Sequence, residues 1–252
     1  MADRVTKLRK LNEFRRKMPH VSASALSAIL KEIDAHGAPE LNTRQAMAAA
    51  TEQELRQQTP YGSMLTTIPL VGENGEAMSI DAINPLGLLT VAYEQGGSFT
   101  RLKDKTWVRK PATPDEPWGL ILYTDEVVPG NVIKCDNLHK IWVIYFSFQE
   151  FGMVVLQHEE AWFTLAVARC SKVSEADAGI SQVLGGAIKL FFGALGANMS
   201  TGGIALRRAD GSQMRLWAVL QVAVQDGGAH KMVWHCKAAA DNGLGQLIYP
   251  RT

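Results

Sequence analysis

The chain has 252 residues, 46% of them hydrophobic and 20% charged, with a formal net charge of +1. This composition suits a folded protein with a substantial core and excludes a disordered, highly charged chain. The near-neutral balance gives no overall preference for nucleic acid, membrane or acidic substrate, so any such preference must come from a local patch.

The first candidate patch is at the N-terminus. Val5, Leu8, Leu11 and Phe14 recur every three residues, which predicts an amphipathic helix. Its polar side carries Arg4, Lys7, Arg9, Lys10, Arg15, Arg16 and Lys17 against only Asp3 and Glu13. Such a face can contact DNA phosphates through charge, or it can be the solvated side of a helix packed on the protein body. The segment is too charged for a secretory signal. A nuclear or cytoplasmic location is expected, with no membrane partner. The most apolar helical stretch, Val183 to Leu195, contains Lys189 and falls short of the roughly 20 residues that span a bilayer.

A second helix is predicted from Ser24 to His36, stopped by Gly37, and a third after Asn42 and Gln45, which have capping-box spacing. Leu65 to Asp81 reads as a hairpin turning at Asn74-Gly75, and Asn84-Pro85 as a helix start. Lys110 to Pro117 is proline-rich and reads as a linker. Three strands follow, Trp118 to Thr124, Lys140 to Phe148 and Ala161 to Arg169. A long helix is then predicted from Glu175 to about Leu195, with Ser174 as N-cap. Strands Gly203 to Arg207 and Met214 to Gln225 flank the Asp210-Gly211 turn, and Ala229 to Lys237 begins another helix. The expected organisation is a helical region over 1–60, a small α/β connector over 61–115, and a partial sheet domain over 116–252. The fold class is α+β, with a mixed sheet behind a helical N-terminal region.

Two apolar runs end in carboxylates, the first at Asp125 and the second at Asp226. A buried strand fixes its last side chain rigidly, and two such acids at neighbouring strand ends can hold Mg²⁺ or Mn²⁺ for phosphoryl transfer. The competing reading of Asp125 is an acid in an exposed turn. Glu126 should face the opposite side and be solvated.

Other groups are weaker candidates. The three cysteines, Cys135, Cys170 and Cys236, are odd in number and lack a C-x-x-C pair, which argues against disulfides or a zinc ribbon and for a reducing compartment. His230, His235 and Cys236 lack standard zinc spacing, and His158-Glu159-Glu160 lacks a second histidine. Gly185-Gly186 is better explained by close helix packing than by a phosphate loop. Trp142, Tyr145, Phe146, Phe148, Trp162 and Phe163 would stack on bases if exposed, but their place in strands favours the core.

Three strands, a helix, then a strand ending in an acid is the opening order of the ribonuclease H-like fold, in which the first and fourth strands lie side by side. Ile121-Leu-Tyr-Thr-Asp125-Glu-Val-Val-Pro-Gly-Asn131, with His139-Lys-Ile-Trp-Val-Ile-Tyr-Phe-Ser-Phe148, resembles the start of the catalytic domain of eukaryotic cut-and-paste transposases of the CACTA and Plavaka kind. Gln225-Asp226-Gly-Gly-Ala229, with Cys236-Lys and Gly243-Leu-Gly245, resembles that family's second acidic motif. The resemblance covers roughly Trp118 to Gly245. It implies DNA as partner and Asp125 and Asp226 as ligands of a divalent cation. The pattern departs in two places: Gln246-Leu-Ile-Tyr stands where a Cys-x-x-Cys pair is expected, and a third acid would lie further on. The chain is therefore expected to be an N-terminal portion or a decayed copy of a transposase, inactive alone. The alternatives are a noncatalytic nucleic-acid or protein-binding module, or a structural α+β domain.

Overall fold

The structure, a computed structural model, describes residues 21–37, 43–128, 140–193, 198–208 and 211–225. The N-terminal basic segment, Asp226 and the His230, His235, Cys236 group lie outside these residues, as do the Ala229 to Lys237 helix and the tail. The chain forms two units, divided between Glu52 and Gln53.

The first unit contains α1 (Ala23–His36) and the start of α2 (Arg44–Leu55). Ser22 caps α1 by accepting a hydrogen bond from the Ala25 amide at 3.1 Å, and Gly37 ends it in the left-handed region at φ 82°. At α2 the cap is Thr43, whose hydroxyl accepts from the Ala46 amide at 3.1 Å. The anticipated Asn42 lies just outside the described residues.

Among the described residues the second unit is built on a sheet of six strands: β3 (Leu65–Val71), β4 (Ala77–Ile83), β5 (Trp118–Val127), β6 (Ile141–Phe148), β7 (Phe163–Arg169) and β10 (Ala218–Gln225). A small ladder of β1 (Gln58–Thr59) and β2 (Gly62–Ser63) precedes it. The order across the large sheet is β10-β5-β6-β7-β4-β3. All neighbours are antiparallel except β5 and β10, which run parallel. The first and fourth strands of the expected order are therefore adjacent. The β3–β4 hairpin turns at Gly75, at φ 80°, and joins the same sheet through the Ala82–Ala166 pair. Lys110 to Pro117 connects α4 (Gly97–Arg109) to β5 inside this unit.

Alternation along the strands decides which side is covered. On β5, Trp118, Leu120, Leu122 and Thr124 are buried on one face. That face carries the core, with α3 (Pro85–Gln95), α4, and α7 (Gly179–Phe192) packed on it. Phe146 meets Phe191 of α7 edge-on at 5.0 Å, and Phe163 meets Phe99 of α4 at 4.8 Å. Asn84 starts α3 by accepting hydrogen bonds from the Leu86 and Gly87 amides, with Pro85 in the first turn. Gly186 is where α7 meets β3, since a Cβ there would collide with the Ile68 side chain.

Two predicted elements divide. The helix expected from Glu175 begins only at Gly179, because 175–177 is drawn out along the β3–β4 turn. The Glu73 amide donates to the Glu175 carbonyl, the Asp177 amide donates to the Val71 carbonyl, and Ala176 bridges Gly72. Ser174 instead ends the short helix α6 (Cys170–Ser174) and donates its hydroxyl to the Ser171 carbonyl. The strand expected over Met214 to Gln225 breaks at Trp217. Its first part is β9 (Gln213–Leu216), which pairs with β8 (Ile204–Arg207) in a hairpin, and its second part is β10 in the main sheet. The Trp118 amide donates to the Trp217 carbonyl and the Ala218 amide to that of Met199, which redirects the chain.

Candidate functional site

The pairing of β5 with β10 runs from Trp118 beside Ala218 to Thr124 beside Gln225, with one irregularity near Gln221. At the end of this ladder the Gln225 side-chain amide donates to the buried Thr124 hydroxyl at 2.7 Å. Asp125 is the next residue of β5. It is half-buried and accepts a hydrogen bond at 3.1 Å from the hydroxyl of Tyr123, two residues back on the same face. Asp226 is the residue after Gln225 in sequence and lies outside the described residues, as do Arg4, Lys7, Arg9, Lys10, Arg15, Arg16 and Lys17.

Glu126 faces the other side of the sheet, as alternation requires, but it is half-buried and paired with Lys140. It also touches Cys170, whose thiol is pushed up to about 11, first by burial and then by the Glu126 charge. A protonated thiol of this kind is a poor nucleophile. Among the described residues no group of three or more His, Cys, Asp or Glu side chains comes together as a metal site. On the Asp125 face, that carboxylate is the metal-compatible group that the strand end supplies.

Beside Asp125, the face of the sheet opposite the core forms, among the described residues, a groove of about 1300 Å³. Its floor includes Ile121, Tyr123, Tyr145, Thr164, Val222 and Val224. The turn after β6, with the short helix α5 (Met153–Leu156), makes a wall that ends at Trp162. The Tyr123 and Tyr145 rings lie nearly parallel with centroids 6.2 Å apart, and Trp162 meets Tyr123 edge-on at 6.1 Å. Trp142, Phe146 and Phe148 are buried in the core as expected, whereas Tyr145 and Trp162 line this groove. The signal for them was the two-residue period: Tyr123 shares the face of Asp125, and Tyr145 pairs directly with Tyr123.

A second polar cluster lies in the core and escaped the sequence reading. Lys103 is fully buried, and its Nζ has no hydrogen-bond partner among the described residues. It sits over the rings of Tyr93 and Trp107, 4.3 and 4.6 Å from their centroids. Burial lowers its pKa from the ordinary 10.5 to about 7, partly opposed by Asp104. Alongside, the Tyr93 hydroxyl donates to Asp104 at 2.7 Å, and Arg208 donates to the Tyr93 oxygen at 2.9 Å and pairs with Asp104. This closed network ties α3 and α4 to the end of β8, which makes it structural.

Comparison with protein-family models, with curated proteins and with solved structures finds no match. No helix among the described residues is long and apolar enough to cross a membrane.

Proposed function

We propose that the chain derives from a DNA transposase and keeps part of a divalent-metal site for phosphodiester transfer at the joined ends of β5 and β10. The observation that carries this reading is the parallel pairing of these strands, which resumes after a one-residue shift at Gln221 and runs to Thr124 beside Gln225. Each is followed in sequence by an aspartate. Asp125 and Asp226 would hold Mg²⁺ or Mn²⁺, and the cation would supply charge stabilisation and an activated water or DNA 3′-hydroxyl. Asp125 suits this task because a hydrogen-bonded strand holds its backbone and the Tyr123 hydroxyl orients one of its oxygens. Glu126 is committed to Lys140 and contributes nothing to that face. The basic side of the N-terminal segment, from Arg4 to Lys17, would contact phosphates in DNA.

Two acids hold a cation less rigidly than three, and small misplacements of reacting groups cost about a hundredfold in rate. The chain alone is therefore expected to bind metal and DNA without cleaving or joining strands. Thermal unfolding with and without Mn²⁺ tests the reading, because a ligand that binds the native state raises Tm. Mn²⁺ should raise the Tm of the wild type and leave that of Asp125→Asn, Asp226→Asn unchanged. Equal shifts in both proteins would remove the site.

A further inference from the structure

The groove beside Asp125 has three properties that together select a ligand. Its aromatic surface is continuous, formed by Tyr123, Tyr145 and Trp162. Among the described residues no lysine or arginine lines it and Glu159 is its one charged residue, a lining that does not suit a phosphate group. Gln149, Gln157 and Gln221 line its edges, and their side chains form no hydrogen bond among the described residues, which leaves amide donors and acceptors for a polar planar ligand. A neutral flat ring with hydrogen-bonding edges matches this lining. The ring faces of unpaired bases stack on aromatic side chains irrespective of sequence, whereas a duplex conceals those faces.

We propose that the groove seats unpaired bases of a DNA strand, placing that strand's backbone beside Asp125. This rests on the phosphoryl-transfer reading of Asp125. The connection is Tyr123, whose ring belongs to the aromatic surface while its hydroxyl binds the Asp125 carboxylate. The groove thus opens next to the group proposed to act on a phosphodiester. Tyr123, Tyr145 and Trp162 are positioning residues here, since they would hold the bases and not the reacting phosphate.

The test is binding of a fluorescently labelled 12-nucleotide single strand in EDTA, so that metal plays no part. Three proteins are compared: wild type, Tyr145→Ala and Tyr145→Phe. Loss of one stacking ring should weaken binding about tenfold in Tyr145→Ala, with little change in Tyr145→Phe. An abasic 12-mer should bind the wild type and Tyr145→Ala alike, which separates base stacking from a general loss of structure. Because EDTA removes any cation, this binding reads the base seat alone, whereas the Mn²⁺-induced rise in Tm reads the metal site, so a failed metal site and a failed base seat are distinguishable. If Tyr145→Ala does not fold, Gln221→Ala at the exposed edge of β10 replaces it, with a severalfold loss expected on the base-containing strand alone. The proposal is overturned if the wild type does not bind the strand, or if ordinary and abasic strands respond equally to the substitution. It is also overturned if the wild type dimerises through the groove and Tyr145→Ala restores a monomer without altering strand binding.

Discussion

Gln225 and Thr124 lie opposite one another on parallel strands a hundred residues apart in sequence, joined by a 2.7 Å side-chain hydrogen bond. Thr124 is buried, so its hydroxyl needs this partner. The bond also ties the end of β10 to the end of β5, one residue before each aspartate. Thr124→Val should cost about 1 kcal/mol, the ordinary net value of such a bond, measured by urea unfolding. It should also weaken any Mn²⁺-induced rise in Tm, because the strand ends lose a tie.

Lys103 gives a pH-dependent prediction. Its native pKa of about 7 lies below the ordinary 10.5, so between these values the unfolded chain holds a proton that the native chain lacks. Stability therefore rises with pH through this window, by up to about 1.4 kcal/mol per pH unit, and is lost as pH falls through 7. Cys170 works in the opposite direction above its ordinary 9.0, as does Tyr93 above 10.0. The clean interval is pH 7 to 9. Lys103→Met should flatten the profile there and raise stability at pH 7 by about 2 kcal/mol, as an unsatisfied buried group is replaced by an apolar one.

The contact of α7 with β3 should be intolerant of even one added methyl. Gly186→Ala forces a Cβ into Ile68 and should cost about 1–3 kcal/mol. Gly185→Ala meets nothing within 4 Å and should be neutral or slightly stabilising. Urea midpoints of the two variants check the contrast.

The N-terminal segment should contribute salt-sensitive DNA affinity. Each Lys or Arg that meets a phosphate releases counterions, so binding falls as salt rises. Removing residues before Met18 should weaken duplex binding at low salt and flatten its salt dependence. Equal affinity and equal salt slopes in the two proteins would show that the segment has no such role.

Much of the fold was legible because hydrophobic period and turn chemistry agreed. Trp118 to Thr124, Lys140 to Phe148 and the Asn74-Gly75 hairpin fall close to the observed strands and turn. The misreadings share one cause, which is pairing with distant chain. Residues 175–177 read as helix locally but bond to the β3–β4 turn, and Trp217 splits a continuous strand pattern because its two sides serve different sheets. Of the candidate site, Asp125 was legible as the acid closing an apolar run. The sequence places Tyr145 and Trp162 in the core because aromatic residues in strands usually lie there, and only the packing of α3, α4 and α7 on one face, among the described residues, leaves these two on the other. Lys103 was invisible for a similar reason, since a lysine among polar helix neighbours carries no sign that the cage of Tyr93 and Trp107 will enclose it.

In the proposed site, Asp125 and Asp226 at the ends of β5 and β10 share one divalent cation. The most direct test is Mn²⁺ titration calorimetry on the wild type, the two single Asp→Asn variants and the double variant. If both carboxylates share one cation, each single change should remove most of the affinity and the double change should add little, a strongly non-additive cycle. Additive effects, or Mn²⁺ binding that persists unchanged in the double variant, would rule out a cation shared by the two aspartates.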